Sequence, residues 1–116
     1  MDGYSGTIAC DAGDGRYSAS LSYAVEAGRV KSFAWSSALA SSARGCQVAF
    51  AQQQPMQGGI KLAEGRCAVT LRDLGDDLIK VTAEGCSALC GPDAYLEPML
   101  VERRGNCRLL RPEAPR

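Results

Sequence analysis

Six cysteines, Cys10, Cys46, Cys67, Cys86, Cys90 and Cys107, are the residues of this 116-residue chain whose chemistry is most tightly constrained. A zinc site needs paired short spacings that converge, usually with histidine. The chain has no histidine, and its one short pair is Cys86 with Cys90, at C-x3-C. A thiol–disulfide oxidoreductase needs C-x-x-C beside a βαβ pattern, and neither occurs. Free thiols in a reducing compartment are the third reading. The even count, spread along the chain, points instead to a framework of up to three disulfides formed in an oxidising compartment. Sequence does not choose among the possible pairings. The simplest expectation joins Cys86 to Cys90 across a loop, Cys46 to Cys67 across neighbouring strands, and Cys10 to Cys107 at the two ends.

Other chemistry is sparse. Without histidine, the commonest general base and metal ligand is absent. No serine sits in a G-x-S-x-G elbow or an S-x-x-K motif. Ser5, in Tyr4-Ser5-Gly6, reads as a loop residue. Asp73, Asp76 and Asp77 cluster around Gly75. Paired carboxylates can cleave glycosides, but aspartates at this density around a glycine are ordinary turn chemistry. Asp11-Ala12-Gly13-Asp14-Gly15 partly resembles a calcium loop, yet lacks the third acid and the closing Glu. A hairpin turn is the better reading. These observations lead to an expectation of no catalytic residue, no metal site, no cofactor and no enzymatic activity. One basic cluster stands out for partner binding. Arg103, Arg104 and Arg108 flank Gly105-Asn106, with Arg111 behind them. Arginines on a hairpin can fork onto a partner's carboxylates; otherwise they blunt a strand edge.

Strands must position these groups. From 17 to 25, Tyr17, Ala19, Leu21, Tyr23 and Val25 fall on one face, with Ser18, Ser20, Ser22 and Ala24 on the other. This period-2 pattern defines a half-buried antiparallel strand. Ala27-Gly28 turns the chain into a return strand over 30–35, with Phe33 and Trp35 on one side. Further short strands are expected at 7–10, 46–51, 59–62, 67–72, 78–83, 96–104 and 107–110, punctuated by Gly, Asp and Asn turns. Residues 52–59 read as a loop. Short helical turns are allowed at 36–43 and at 92–97, where Pro92 suits a first helical position. Gly105-Asn106 signals a two-residue hairpin. The expected class is mostly β: a small antiparallel meander closing into a barrel or sandwich, disulfide-stapled, with at most one or two short helical turns. Residues 1–110 form one domain, and 111–116, with two prolines, form a frayed tail.

Composition narrows the function classes. Apolar residues make up 46%, too many for a disordered chain. The net charge of +0 offers no general attraction for nucleic acid. Of the seven aromatic residues, Tyr17 and Tyr23 lie on the alternating apolar face and read as core rather than as a base- or sugar-stacking surface. No stretch approaches a membrane span. Polar residues after Met1 exclude an uncleaved signal peptide, so export implies a leader already removed, and a lipid anchor upstream is compatible. Arginine outnumbers lysine 10 to 3, which suggests GC-rich bacterial coding.

The N-terminal segment Thr7-Ile8-Ala9-Cys10, followed by a Gly/Asp turn, and the chain's size resemble small periplasmic β-barrel proteins of Gram-negative bacteria, in particular the membrane-bound and periplasmic inhibitors of c-type lysozyme. The resemblance covers architecture alone. That family's inhibitory loop, a Ser-Gly pair followed by Tyr, has no counterpart. Tyr4-Ser5-Gly6 lies too near the N-terminus and lacks the following Tyr, and the Cys86–Cys90 segment is foreign to the family pattern. No functional residue is carried over. The resulting expectation is a non-enzymatic, extracytoplasmic binding module of the bacterial envelope, in the periplasm or attached to the outer membrane. Its partner would be another protein, such as a cell-wall hydrolase or a toxin. The alternative is a barrel carrying a small molecule or lipid.

Overall fold

In the computed structural model, ten strands follow one another as an antiparallel meander split into two sheets. The structure describes residues 5–27, 29–39, 45–50, 53–56, 58–86, 90 and 96–110. The first sheet holds β1 (Gly6–Gly13), β2 (Tyr17–Glu26), β3 (Arg29–Leu39) and β4 (Gly45–Ala49) in sequence order. The second holds β5 (Gln53–Met56), β6 (Gly59–Glu64), β7 (Cys67–Gly75), β8 (Leu78–Glu84), β9 (Met99–Glu102) and β10 (Cys107–Leu109), also in order. The two sheets do not close into a barrel, and the arrangement is that of a sandwich. β1 lies beside β10, but no ladder joins them.

Period-2 alternation decides which face each strand buries. On β2, Tyr17, Ala19, Leu21, Tyr23 and Val25 are buried, while Ser18, Ser20 and Ser22 are exposed. β3 breaks the alternation, because Val30 and Phe33 are three residues apart. A bulge resolves the conflict. Val25 pairs with Val30 and Ala24 with Ser32, so Lys31 is left unopposed and both apolar residues face inward. Trp35, Leu21 and Val48 then lie side by side across three strands and pack at 1–3% exposure. The second sheet contributes Ile60, Leu62, Val69, Leu71, Ile79, Val81, Met99 and Val101 to the same core cluster. The Tyr17 hydroxyl accepts a 2.8 Å hydrogen bond from the Glu97 backbone N–H, tying the first sheet to the segment before β9.

All six cysteines are paired, as Cys10–Cys107, Cys46–Cys90 and Cys67–Cys86. The end-to-end bridge is as expected, but the other two partners are exchanged. Cys46 and Cys67 cannot meet as neighbours, because β4 and β7 lie in different sheets. Cys67 instead faces the chain leaving β8, where Ala68 opposes Glu84 and the Cys67–Cys86 Cα separation is 4.1 Å. Gly85 makes that approach possible. Its φ is +72°, and a Cβ there would run into the Arg66 carbonyl oxygen. Three disulfides place the working protein outside the reducing cytoplasm. Among the described residues, no helix is long and apolar enough to cross a membrane.

Other boundaries also differ. Residues 53–56 form β5 rather than a loop, and the stretch from Ser36 to Leu39 continues β3 rather than turning helical. β9 begins at Met99, after Pro98, and the β9–β10 loop spans 103–106 rather than two residues. Tyr4, residues 40–44, residues 91–95 and the tail 111–116 lie outside the described residues.

Candidate functional site

The β7–β8 turn is built from residues that resist their own backbone conformation. Gly75, Asp76 and Asp77 have φ of +84°, +53° and +61°. A two-residue hairpin of the I′ type needs positive φ at both central positions, because only that twist matches the flanking strands. Asp tolerates this better than most residues but at a cost of about 1 kcal/mol or more each. The ladder shifts just before the turn. Asp73 pairs with Ile79 and Gly75 with Leu78, leaving Leu74 as the unopposed bulge residue. Leu74 is 48% exposed, the exposed large hydrophobic among the described residues.

Arg103 braces this turn from the neighbouring loop. Its Nη2 lies 2.8 Å from Asp73 Oδ2, and its Nη1 lies 3.5 Å from Asp77 Oδ1. The Arg103 backbone N–H donates to the Asp77 carbonyl at 3.0 Å. The second oxygen of Asp73 accepts the Gly75 N–H at 2.9 Å. The aspartate cluster is therefore a braced turn. Side-chain exposures of 27% for Arg103 and 24% for Asp73 put this pair between a solvated surface bridge and a buried one. Arg103→Met is expected to lower stability by about 1–2 kcal/mol, above the range of exposed pairs and below that of buried ones. Urea unfolding at low and high salt measures it, and the loss should shrink as salt rises.

The three candidate arginines do not form one group. Arg103 turns back onto the β7–β8 turn, Arg104 is exposed in the β9–β10 loop, and Arg108 is exposed on the outer face of β10. Near Arg108, a groove of about 250 Å³ is lined by Leu78, Leu100, Glu102 and Asn106. Leu74 went unrecognised from sequence, because its neighbours suggest only a polar turn. The signal that could have found it is parity. An inward run of Val69 and Leu71 followed by Leu74 breaks the period of two and requires a bulge.

The remaining sequence candidates have structural partners. Ser5 Oγ accepts the Ala27 N–H at 2.9 Å. Asp14 Oδ1 accepts the backbone N–H groups of Arg16 and Tyr17, both at 2.9 Å, which closes the β1–β2 turn. Asp11 accepts the Ser20 hydroxyl across the strands at 2.5 Å. Among the described residues no group of three or more metal-ligating side chains converges.

The fold and site define a disulfide-tied antiparallel β meander whose β7–β8 turn is braced by Arg103 and exposes Leu74. No family model matches the chain, and no curated protein or solved structure matches it either.

Proposed function

We propose that the protein is a non-enzymatic binding module of the bacterial envelope, acting in the periplasm or at the outer membrane, and that it engages or inhibits another protein such as a wall hydrolase or toxin. The observation that carries this reading is Leu74, an apolar side chain held out to solvent on a turn braced by Arg103. Exposing leucine forgoes burial worth about 1.5–3 kcal/mol, and left-handed aspartates add local strain. A stapled scaffold that keeps such a tip rigid saves the ordering cost a flexible loop would meet on binding. The interior holds Trp35, Tyr17, Tyr23 and close-packed aliphatic residues, so nothing in the packing favours the carrier alternative.

The test is incubation of the native, oxidised protein with a broad panel of lysozymes and other wall hydrolases, reading residual activity. Dose-dependent inhibition of at least one enzyme is expected. Leu74→Asp should weaken it about tenfold or more, the size of a central apolar contact. Undiminished activity across the panel would remove the hydrolase-inhibitor reading.

A further inference from the structure

The register of the second sheet collects cations that the sequence keeps apart. Arg72 on β7 lies directly opposite Lys80 on β8. Lys80 lies opposite Leu100 on β9, and Leu100 opposite Arg108 on β10. Lys61 on β6 sits one row along, opposite Thr70. Each cation alternates with buried residues. Leu71, Ile79 and Val81 point into the core, as do Ile60 and Leu62, so the cations share the outer face. From Arg72 to Arg108 the row crosses three strand intervals, about 14 Å at the usual strand spacing. None of the four takes part in an ion pair among the described residues. Glu102 and Glu84 occupy the same face two and four positions along the strands from this row, and Glu102 already accepts the Asn106 amide at 3.2 Å.

Directly opposed like charges destabilise a sheet. The Arg72–Lys80 pair costs the fold something and gains no ion-pair partner among the described residues. We infer that this row is a docking surface for a linear acidic polysaccharide, with one carboxylate, phosphate or sulfate per sugar laid across the strands. Arg72 and Lys80 stand about 4.8 Å apart, roughly one sugar ring, Leu100 leaves a double interval before Arg108, and Thr70 and Thr82, opposite one another, offer hydroxyls beside them. A membrane-surface binder would pair such cations with apolar anchors, and single-stranded nucleic acid would call for exposed aromatic rings. Here the exposed large hydrophobic among the described residues is Leu74 alone, two residues from Arg72, while Leu100 is 7% exposed and Tyr17, Tyr23, Phe33, Trp35 and Phe50 all lie in the core. The row adjoins the Leu74 tip through Arg72 on β7, but neither proposal rests on the other.

The test is chromatography of the oxidised protein on immobilised polyuronate and on heparin at low salt, beside phosphatidylglycerol vesicles and single-stranded DNA cellulose. Retention on at least one polysaccharide, released by moderate salt, is expected. Arg72→Glu combined with Lys80→Glu should weaken it about tenfold or more, through lost charge contacts. Arg16→Glu combined with Lys31→Glu makes the same change in net charge elsewhere and should retain binding. Since the first pair of substitutions exchanges one directly opposed like-charge pair for another, its urea midpoint should stay close to that of the parent, which separates lost binding from lost folding. Flow-through of the parent on both polysaccharides overturns the proposal. So does equal weakening by the two variants. Binding to vesicles or DNA as strong as to the polysaccharides overturns it in favour of that other surface.

Discussion

Replacing Cys10 and Cys107 together by serine is expected to lower unfolding stability by about 4 kcal/mol. The bridge spans 97 residues in sequence. With Cys46–Cys90 intact, the shortest covalent path round that loop is roughly half as long, and the chain-entropy relation gives the figure quoted. Small domains have about 5–15 kcal/mol in total, so this one bond decides whether the fold survives warming. The local consequences are specific. β1 and β10 lie side by side without a ladder, and the bridge is the covalent tie between their sheets at that edge. Cutting it leaves two strand edges open to other chains. Cys107 also begins β10 directly after the β9–β10 loop that carries Arg103. The double variant should therefore unfold at lower urea, associate on standing, and hold the β7–β8 tip less firmly. Urea unfolding with light scattering reads the first two effects, and amide exchange at Gly75 and Arg103 reads the third. A midpoint within error of the parent would mean that the two sheets hold together at this edge without the covalent tie.

How much of this was legible beforehand depends on the kind of interaction. β2 could be read directly, because Tyr17, Ala19, Leu21, Tyr23 and Val25 alternate with small polar residues, and burial follows that pattern. β5 could not. Its Gln-Gln-Pro-Met sequence lacks alternation and contains a proline that suggests a loop, yet Gln53–Met56 pairs along β6. The end of β3 was obscured by Ser and Ala, which carry little pattern in either direction, although Ser37 lies buried opposite Ala19. The bridge between the chain ends matches the simplest expectation, although the sequence did not choose among the pairings. The other two pairings depended on the break between β4 and β5 that separates the sheets, and no local signal marks that break. The cation row shows the same limit. Lys61, Arg72, Lys80 and Arg108 look like scattered surface charges until four ladders fix their register. Local chemistry predicted turns and faces, while convergence was set by non-local pairing.

The core offers a second large effect, with a built-in comparison. Trp35 is 1% exposed and lies between Leu21 and Val48 on neighbouring strands, with Phe33 edge-on at a centroid distance of 6.4 Å. Trp35→Ala removes the largest buried side chain and leaves a cavity that rigid neighbouring strands cannot fill, so a loss of about 3–5 kcal/mol is expected. Trp35→Phe should cost much less, about 1–2 kcal/mol. The reason is specific to this site. The Trp35 indole N–H has no hydrogen-bond partner among the described residues, so phenylalanine gives up area but no bond. Both variants act in the first sheet, whereas the Leu74 tip and the cation row belong to the second. Where Trp35→Phe remains folded, inhibition and polysaccharide retention should match the parent. If Trp35→Phe instead proves as damaging as Trp35→Ala, the indole N–H must be satisfied in solution by a group this core does not provide. Urea unfolding of the two variants, followed by the same binding assays, distinguishes these outcomes.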